Sequence, residues 1–315
     1  FSVLTIYLSK VGSIALFEVG ESGEVRSNMG NSFDGKYHWY KVFMNDMLVF
    51  LTFAAFANAL INRTFLNKML FLTLFLVALF VMTMATQKAP AIFLIIGCFL
   101  VYISVKNKRI IPLKKLFTLS IFLLLILVYF YQYFMSSPDV YSSLQSIFSR
   151  TLMGQIQAAY HYLEYFKNHD FLMGASFPNP MGIFPFEHFR LTVEIMNWVH
   201  PELSVKGITG SMPTIFWGEL FANFGILGIL TAPLFVGFGL YWINIIVFNL
   251  KYSPYVIALF IWLVLHFDNL AISGLSDYLF DLYLVVVVTT FILLSFFVDN
   301  GKIKFYKRCS TGKAK

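Results

Sequence analysis

Glu219 and Asn223 stand one helical turn apart in a segment that is otherwise apolar, Phe216 to Gly228. Their i, i+4 spacing puts a carboxylate and a carboxamide on one helix face. A carboxylate at membrane depth is costly and normally has a partner or a task. It is either an ion-paired or headgroup-level carboxylate, or a general base or hydroxyl ligand near the water–lipid boundary. Lys88 is the only charge in the turn Thr86-Gln-Lys88-Ala-Pro90. A cation between two helix ends either holds a phosphate or anchors the chain by snorkelling. Arg150, Gln157, His161 and Glu164 recur at helical spacing, and Glu187, His188 and Arg190 follow a turn-rich stretch, residues 174–182. His161, His169, His188 and His200 all fall between residues 136 and 211, yet their spacing suggests no convergent metal set, so no metal or other cofactor is expected.

These residues need elements to hold them. The pattern over 142–168 predicts one amphipathic helix. Gly154, Gln157, His161, Glu164 and Asn168 project within about 40° of Arg150. Leu144, Phe148, Leu152, Ile156, Ala159, Leu163 and Phe166 fall on the other side, forming a stripe able to lie on the bilayer or on a helix bundle. The polar ridge left above is either a solvated face or a binding surface. Downstream, Ser211 is placed to cap a helix and Pro213 to sit in its first turn. That helix, over 213–224, is expected to lie at the interface and lead into a span kinked at Pro233.

Hydrophobic residues make up 58% of the chain and charged ones only 12%. With a mean hydropathy of +0.73, the composition is that of an integral membrane protein. About 20 apolar residues are needed to cross the hydrocarbon. The sequence offers eight such stretches: 1–17, 45–61, 66–86, 89–105, 115–135, 225–249, 254–272 and 279–298. No cleavable signal peptide is discernible, and a hydrophobic run already under way at Phe1 suggests further segments before this numbering. The expected organisation is N-terminal spans over 1–135, a large external loop over 136–211, C-terminal spans over 212–299 and a basic tail over 300–315.

Basic residues set the orientation. Arg63, Lys68, Lys106, Lys108, Arg109, Lys114, Lys115, Lys251 and the tail gather at one set of ends. Of the 16 acidic residues, only Asp299 joins them. These ends, with the C-terminus, are expected in the cytoplasm and the loop 136–211 outside. The net charge of +7 then reflects the positive-inside bias and anionic lipid, and no nucleic-acid partner is expected. No phosphate-binding glycine loop or metalloprotease motif occurs. Gly237-Phe-Gly239 lies in an apolar run, where close helix packing accounts for it. Cys98 and Cys309 are too differently placed to pair.

Three segments carry a family resemblance. Thr86-Gln-Lys88-Ala resembles the outward Ser-Arg-Gly/Ser turn of the bacterial oligosaccharide repeat-unit polymerases, the O-antigen or exopolysaccharide (Wzy-type) family. Arg150, followed by Phe171-Leu-Met-Gly174, is similar to that family's Arg and glycine stretch. Gly210-Ser-Met-Pro-Thr-Ile-Phe-Trp-Gly-Glu219-Leu-Phe-Ala-Asn223-Phe-Gly225-Ile-Leu-Gly228 looks like its Glu-x5-Gly-x2-Gly segment. Lys88 stands where Arg is usual, which weakens bidentate phosphate recognition. The His-Asn pair of the related O-antigen ligases is absent before Pro213, which favours polymerase over ligase.

The resemblance implies an all-α, GT-C-like multi-span bundle in the bacterial cytoplasmic membrane, with the large loop periplasmic. It implies a metal-independent glycosyltransferase that polymerises undecaprenyl-diphosphate-linked oligosaccharide units for O-antigen, capsule or exopolysaccharide. Partners would be the lipid-linked oligosaccharide, membrane lipid, and a chain-length regulator and flippase of the same pathway. Arg150, Lys88 and Glu219 would be catalytic, with the two cations on diphosphate. Arg190, His188, His161, Gln157 and Asn223 would bind substrate. The rival from another class is a transporter or flippase of lipid-linked saccharide, which predicts charged residues within the spans.

Overall fold

Among the described residues of the computed structural model, seven helices are long and apolar enough to cross a membrane. They cover Trp39–Asn62, Phe65–Thr83, Ala89–Lys106, Leu113–Tyr133, Phe216–Asn249, Pro254–Ala271 and Leu275–Phe297. The structure describes residues 2–18, 25, 29, 33, 37–86, 88–106, 113–134, 139–152, 154–202, 210–279 and 281–298. No strand occurs among them, and the chain is an all-helical, multi-span protein. The basic tail with Cys309, together with Lys108, Arg109 and Lys206, lies outside the described residues.

The expected first span, 1–17, is corrected. Helix α1, Ser2–Lys10, has 9 residues, about half the length a crossing requires. It docks through Tyr7, which is fully buried and stacks on Phe33 at 4.9 Å. Beyond it, the Leu16 amide donates to the Met84 carbonyl.

Two compact units divide the chain. The first comprises Phe1–Val140, Asn244–Leu265 and Leu282–Lys315, and the second Tyr141–Ile243 and His266–Asp281. In the first, α2 (Tyr37–Lys41) runs through a π-helical turn, Val42–Met47, into α3 (Leu48–Asn62). Arg63 adopts a left-handed conformation (φ 50°) that ends α3, and the Thr64 hydroxyl accepts from the Asn67 amide to cap α4 (Phe65–Thr83). Phe50 and Phe53 alternate with Ala54 and Ala57 on the buried face of α3. The small residues let α4 and α5 (Lys88–Lys106) pack close to it. On α6 (Leu113–Phe134), Phe117, Phe122, Leu125 and Tyr129 are exposed, as suits a lipid-facing helix.

The second unit has its own core. The stretch expected as one amphipathic helix is helical over α7 (Val140–Leu152) and α8 (Gly154–Tyr165), with residue 153 between them outside the described residues. The predicted apolar stripe is also rotated. Phe148 and Ile156 are exposed, while Tyr162 and Tyr165 are buried with Ala158, Ala159 and Phe166. The tyrosines turn the face because their rings have apolar partners. They pack with Leu191 and Ile195 of α9 (Leu191–Val199) and with Ala222 of α10 (Phe216–Asn249). The Tyr162 hydroxyl donates to the Met212 carbonyl at 2.9 Å. Burial holds that hydroxyl above the ordinary tyrosine range, and the charges of Glu219 and Asp277 push the same way. Tyr162→Phe is expected to cost about 1–2 kcal/mol by leaving the carbonyl unmatched. A lowered thermal midpoint in detergent checks this.

The segment 210–215 is not helical, so Ser211 and Pro213 do not open a helix. Its backbone is committed elsewhere: the Met212 amide donates to the Thr192 carbonyl, and its carbonyl takes the Tyr162 hydroxyl. Helix α10 therefore starts only at Phe216. The break within α10 falls where the expected 213–224 helix meets the expected span 225–249, rather than at Pro233. Pro233 is accommodated inside the helix, and the discontinuity falls at Gly225, where φ 63° and ψ −144° exclude a side chain. Gly237 and Gly239 face open space rather than a tightly packed helix. The helices α11 (Pro254–Asp268) and α12 (Leu282–Val298) flank two short 3-10 turns, Asn269–Ala271 and Leu275–Tyr278.

Candidate functional site

The break at Gly225 frees backbone groups that would otherwise bond within α10. The Ala222 and Asn223 carbonyls accept from the Leu172 and Met173 amides at 3.0 and 3.1 Å. The Gly174 amide donates to the Asn223 side-chain oxygen at 2.9 Å. Asn223 is fully buried, and its amide nitrogen donates to Ser176 Oγ at 2.8 Å and to the Glu219 carbonyl at 2.9 Å. Its role is to lock the turn 172–176 onto the helix. The substrate-binding role expected from the sequence would therefore fall to a fully buried residue.

Glu219 sits one turn earlier and is 4% exposed. Ser176 Oγ donates to one carboxylate oxygen at 2.9 Å, and the Ser276 amide donates to the other at 2.8 Å. The Ser276 hydroxyl adds a further bond. A Cβ on Gly274 would meet the Glu219 carboxylate and push it from its donors, so the absence of a side chain there lets the segment 273–277 approach it. Among the described residues, no cation pairs with Glu219. Hydroxyl and amide donors satisfy the buried carboxylate instead.

Above this network opens a cleft of about 610 Å³, lined by Ser176, Asn179, His188, Arg190, Ser211, Glu219, Ser276 and Asp277, among others. Asn179 shapes its rim: its side chain donates to the Phe184 and Phe186 carbonyls and accepts from the Phe184 amide. The Phe189 amide donates to the Ala175 carbonyl at 2.8 Å. His188 Nδ1 lies 3.1 Å from the Phe177 carbonyl, which can only accept. Nδ1 therefore carries a proton in this bond, which leaves Nε2 outside it. Arg190 precedes α9 and is exposed, with no ion-pair partner among the described residues. The cleft thus combines a cation, an imidazole, carboxylates and hydroxyls, a set suited to an anionic, hydroxyl-rich ligand.

Of the residues singled out from the sequence, Arg190, His188 and Glu219 line this cleft. Asn223 supports it from beneath. Gln157 is exposed and His161 half-buried on α8, and neither lines the cleft. Arg150 lies on α7 of the same unit, and Lys88 is the first residue of α5 in the other unit. Both of their side chains lie outside the described residues. Sequence reasoning missed Ser176, Asn179, Ser276 and Asp277, which come from turns without a helical period. It also missed a polar pair between apolar helices: His266 Nε2 lies 2.6 Å from Asp281 Oδ2, and both are largely buried. Among the described residues, no group of three or more His, Cys, Asp or Glu is placed to hold a metal.

Comparison with protein-family models, with curated proteins and with solved structures finds no match.

Proposed function

We propose that the chain is a membrane glycosyltransferase that polymerises lipid-diphosphate-linked oligosaccharide units, working at the outer face of a bacterial cytoplasmic membrane. The observation that carries this reading is the cleft. It gathers a guanidinium with no ion-pair partner among the described residues, an imidazole bonded to a backbone carbonyl, carboxylates and hydroxyls next to the base of a long apolar helix. A saccharide joined to a lipid by diphosphate presents hydroxyls and negative charge at headgroup level. Fixed cations stabilise the anion that develops as the diphosphate leaves. Arg190 and His188 position the sugar beside the diphosphate. Arg150 and Lys88 are the further cations that the family resemblance assigns to it. The positive-inside distribution of lysine and arginine supports an external position for this site.

The expected result of deleting the gene is surface polysaccharide reduced to single-unit caps. Arg190→Ala, Arg150→Ala and Lys88→Ala should each shorten the chains at normal protein level. Unchanged chain-length profiles for all three would overturn the assignment of the cations. A second reading, a flippase of lipid-linked saccharide, draws support from one observation: His266 on α11 pairs with Asp281, just before α12, as an ionisable couple between apolar helices. It predicts complete loss of surface units on deletion, and the same gel distinguishes the two.

A further inference from the structure

Glu219 is the carboxylate that the sequence puts forward as a base, but its surroundings leave it no room for that task. It is 4% exposed, and donors occupy both of its oxygens. A proton acceptor needs a lone pair directed at the substrate. Three of the roughly four acceptor sites of Glu219 instead hold two chain segments against α10. Ser176 belongs to the turn that Asn223 locks in place, and Ser276 to the 3-10 turn Leu275–Tyr278. Gly274 fits against the carboxylate because it has no side chain. Glu219 is therefore a clamp.

What the clamp presents is the next residue. Asp277 follows Ser276 on the same 3-10 turn, lines the same cleft as Arg190 and His188, and is exposed where Glu219 is buried. The Ser276 amide bond to Glu219 fixes the backbone one residue before it. We propose that Asp277 is the general base of the cleft and that Glu219 acts only by positioning it. The proposal rests on the polymerase reading. In the step, the acceptor sugar hydroxyl oxygen bonds to the anomeric carbon of the donor. Its proton passes to the Asp277 carboxylate, the bond from anomeric carbon to diphosphate oxygen breaks, and the electron pair leaves with the lipid diphosphate. Asp277 then releases the proton to water. No redox partner or metal is needed for the balance.

The test uses the full-length protein reconstituted in vesicles with a lipid-diphosphate-linked oligosaccharide, reading chain extension against pH. Asp277→Asn should lower kcat at least 100-fold with KM changed less than threefold, and should remove the acidic limb of the pH profile. Asp277→Glu should recover part of the rate, and the thermal midpoint of both variants should match that of the unsubstituted protein. Glu219→Gln should lower the thermal midpoint, while its residual activity keeps the acidic limb. An Asp277→Asn protein that extends chains at the normal rate, or a His188→Gln protein that alone loses the acidic limb, would overturn the base assignment and leave the polymerase reading standing. A reconstituted unsubstituted protein that extends nothing would overturn both. In that case equal midpoints for Glu219→Gln and unsubstituted protein would further remove the clamp.

Discussion

Gly228→Ala is expected to prevent the second unit from folding as it stands. A Cβ at this position would collide with the Leu220 carbonyl oxygen and lie 2.5 Å from the Leu220 carbonyl carbon. Both are backbone atoms of the same helix, eight residues earlier, brought close by the break at Gly225. A flexible side chain yields to such a contact, but backbone does so only by moving a helix. Overpacking costs about 1–3 kcal/mol when neighbours can shift. Here the shift would also pull the Ala222 and Asn223 carbonyls from their donors at Leu172 and Met173. Each buried group left unmatched adds about 1–3 kcal/mol. The sum is comparable with the whole stability of an ordinary domain, about 5–15 kcal/mol. Thermal unfolding in detergent and protease sensitivity of the 166–190 segment should both show the loss. Normal values for both would mean that α10 bends freely at Gly225.

Glu219→Ala should come second in severity. The substitution removes the acceptor of the Ser176 hydroxyl and of the Ser276 amide, and leaves a void in a region that is 4% exposed. Two stranded donors and a lost side chain together cost about 3–5 kcal/mol. Glu219→Gln fills the volume but keeps only one acceptor oxygen, since its NH2 group faces a donor, and should cost about half as much. The ordering Ala below Gln below unsubstituted protein in thermal midpoint checks the clamp. A midpoint for Glu219→Ala equal to that of the unsubstituted protein would show that water replaces the carboxylate without loss.

The spans were legible because a crossing helix is a long local pattern, and α3 to α6 and α10 to α12 lie where hydropathy puts them. The first stretch misled because apolar composition at 1–17 says nothing about the turn that follows Lys10. Glu219 and Asn223 were legible through their shared helix face. Their partners were not, because Ser176 and Ser276 lie 43 and 57 residues from Glu219, and no periodicity links such distances. On α8, the expected stripe left out Tyr162 and Tyr165, whose rings are core. The break at Gly225 falls at the expected junction of the 213–224 helix and its span, whereas a kink was expected at Pro233. Proline disrupts a helix through a missing donor and a steric clash, which a long apolar helix can absorb. A left-handed φ beside a backbone contact demands glycine outright.

The amide bonds from Leu172 and Met173 to Ala222 and Asn223, and from Ser276 to Glu219, also set an order of manufacture. A ribosome makes the turn at 172 long before the carbonyls that receive it, and both before the segment at 276. A nascent chain that has released everything up to residue 250 still lacks one wall of its cleft. Premature termination anywhere before Asp277 should therefore yield a membrane-inserted product with no assembled site.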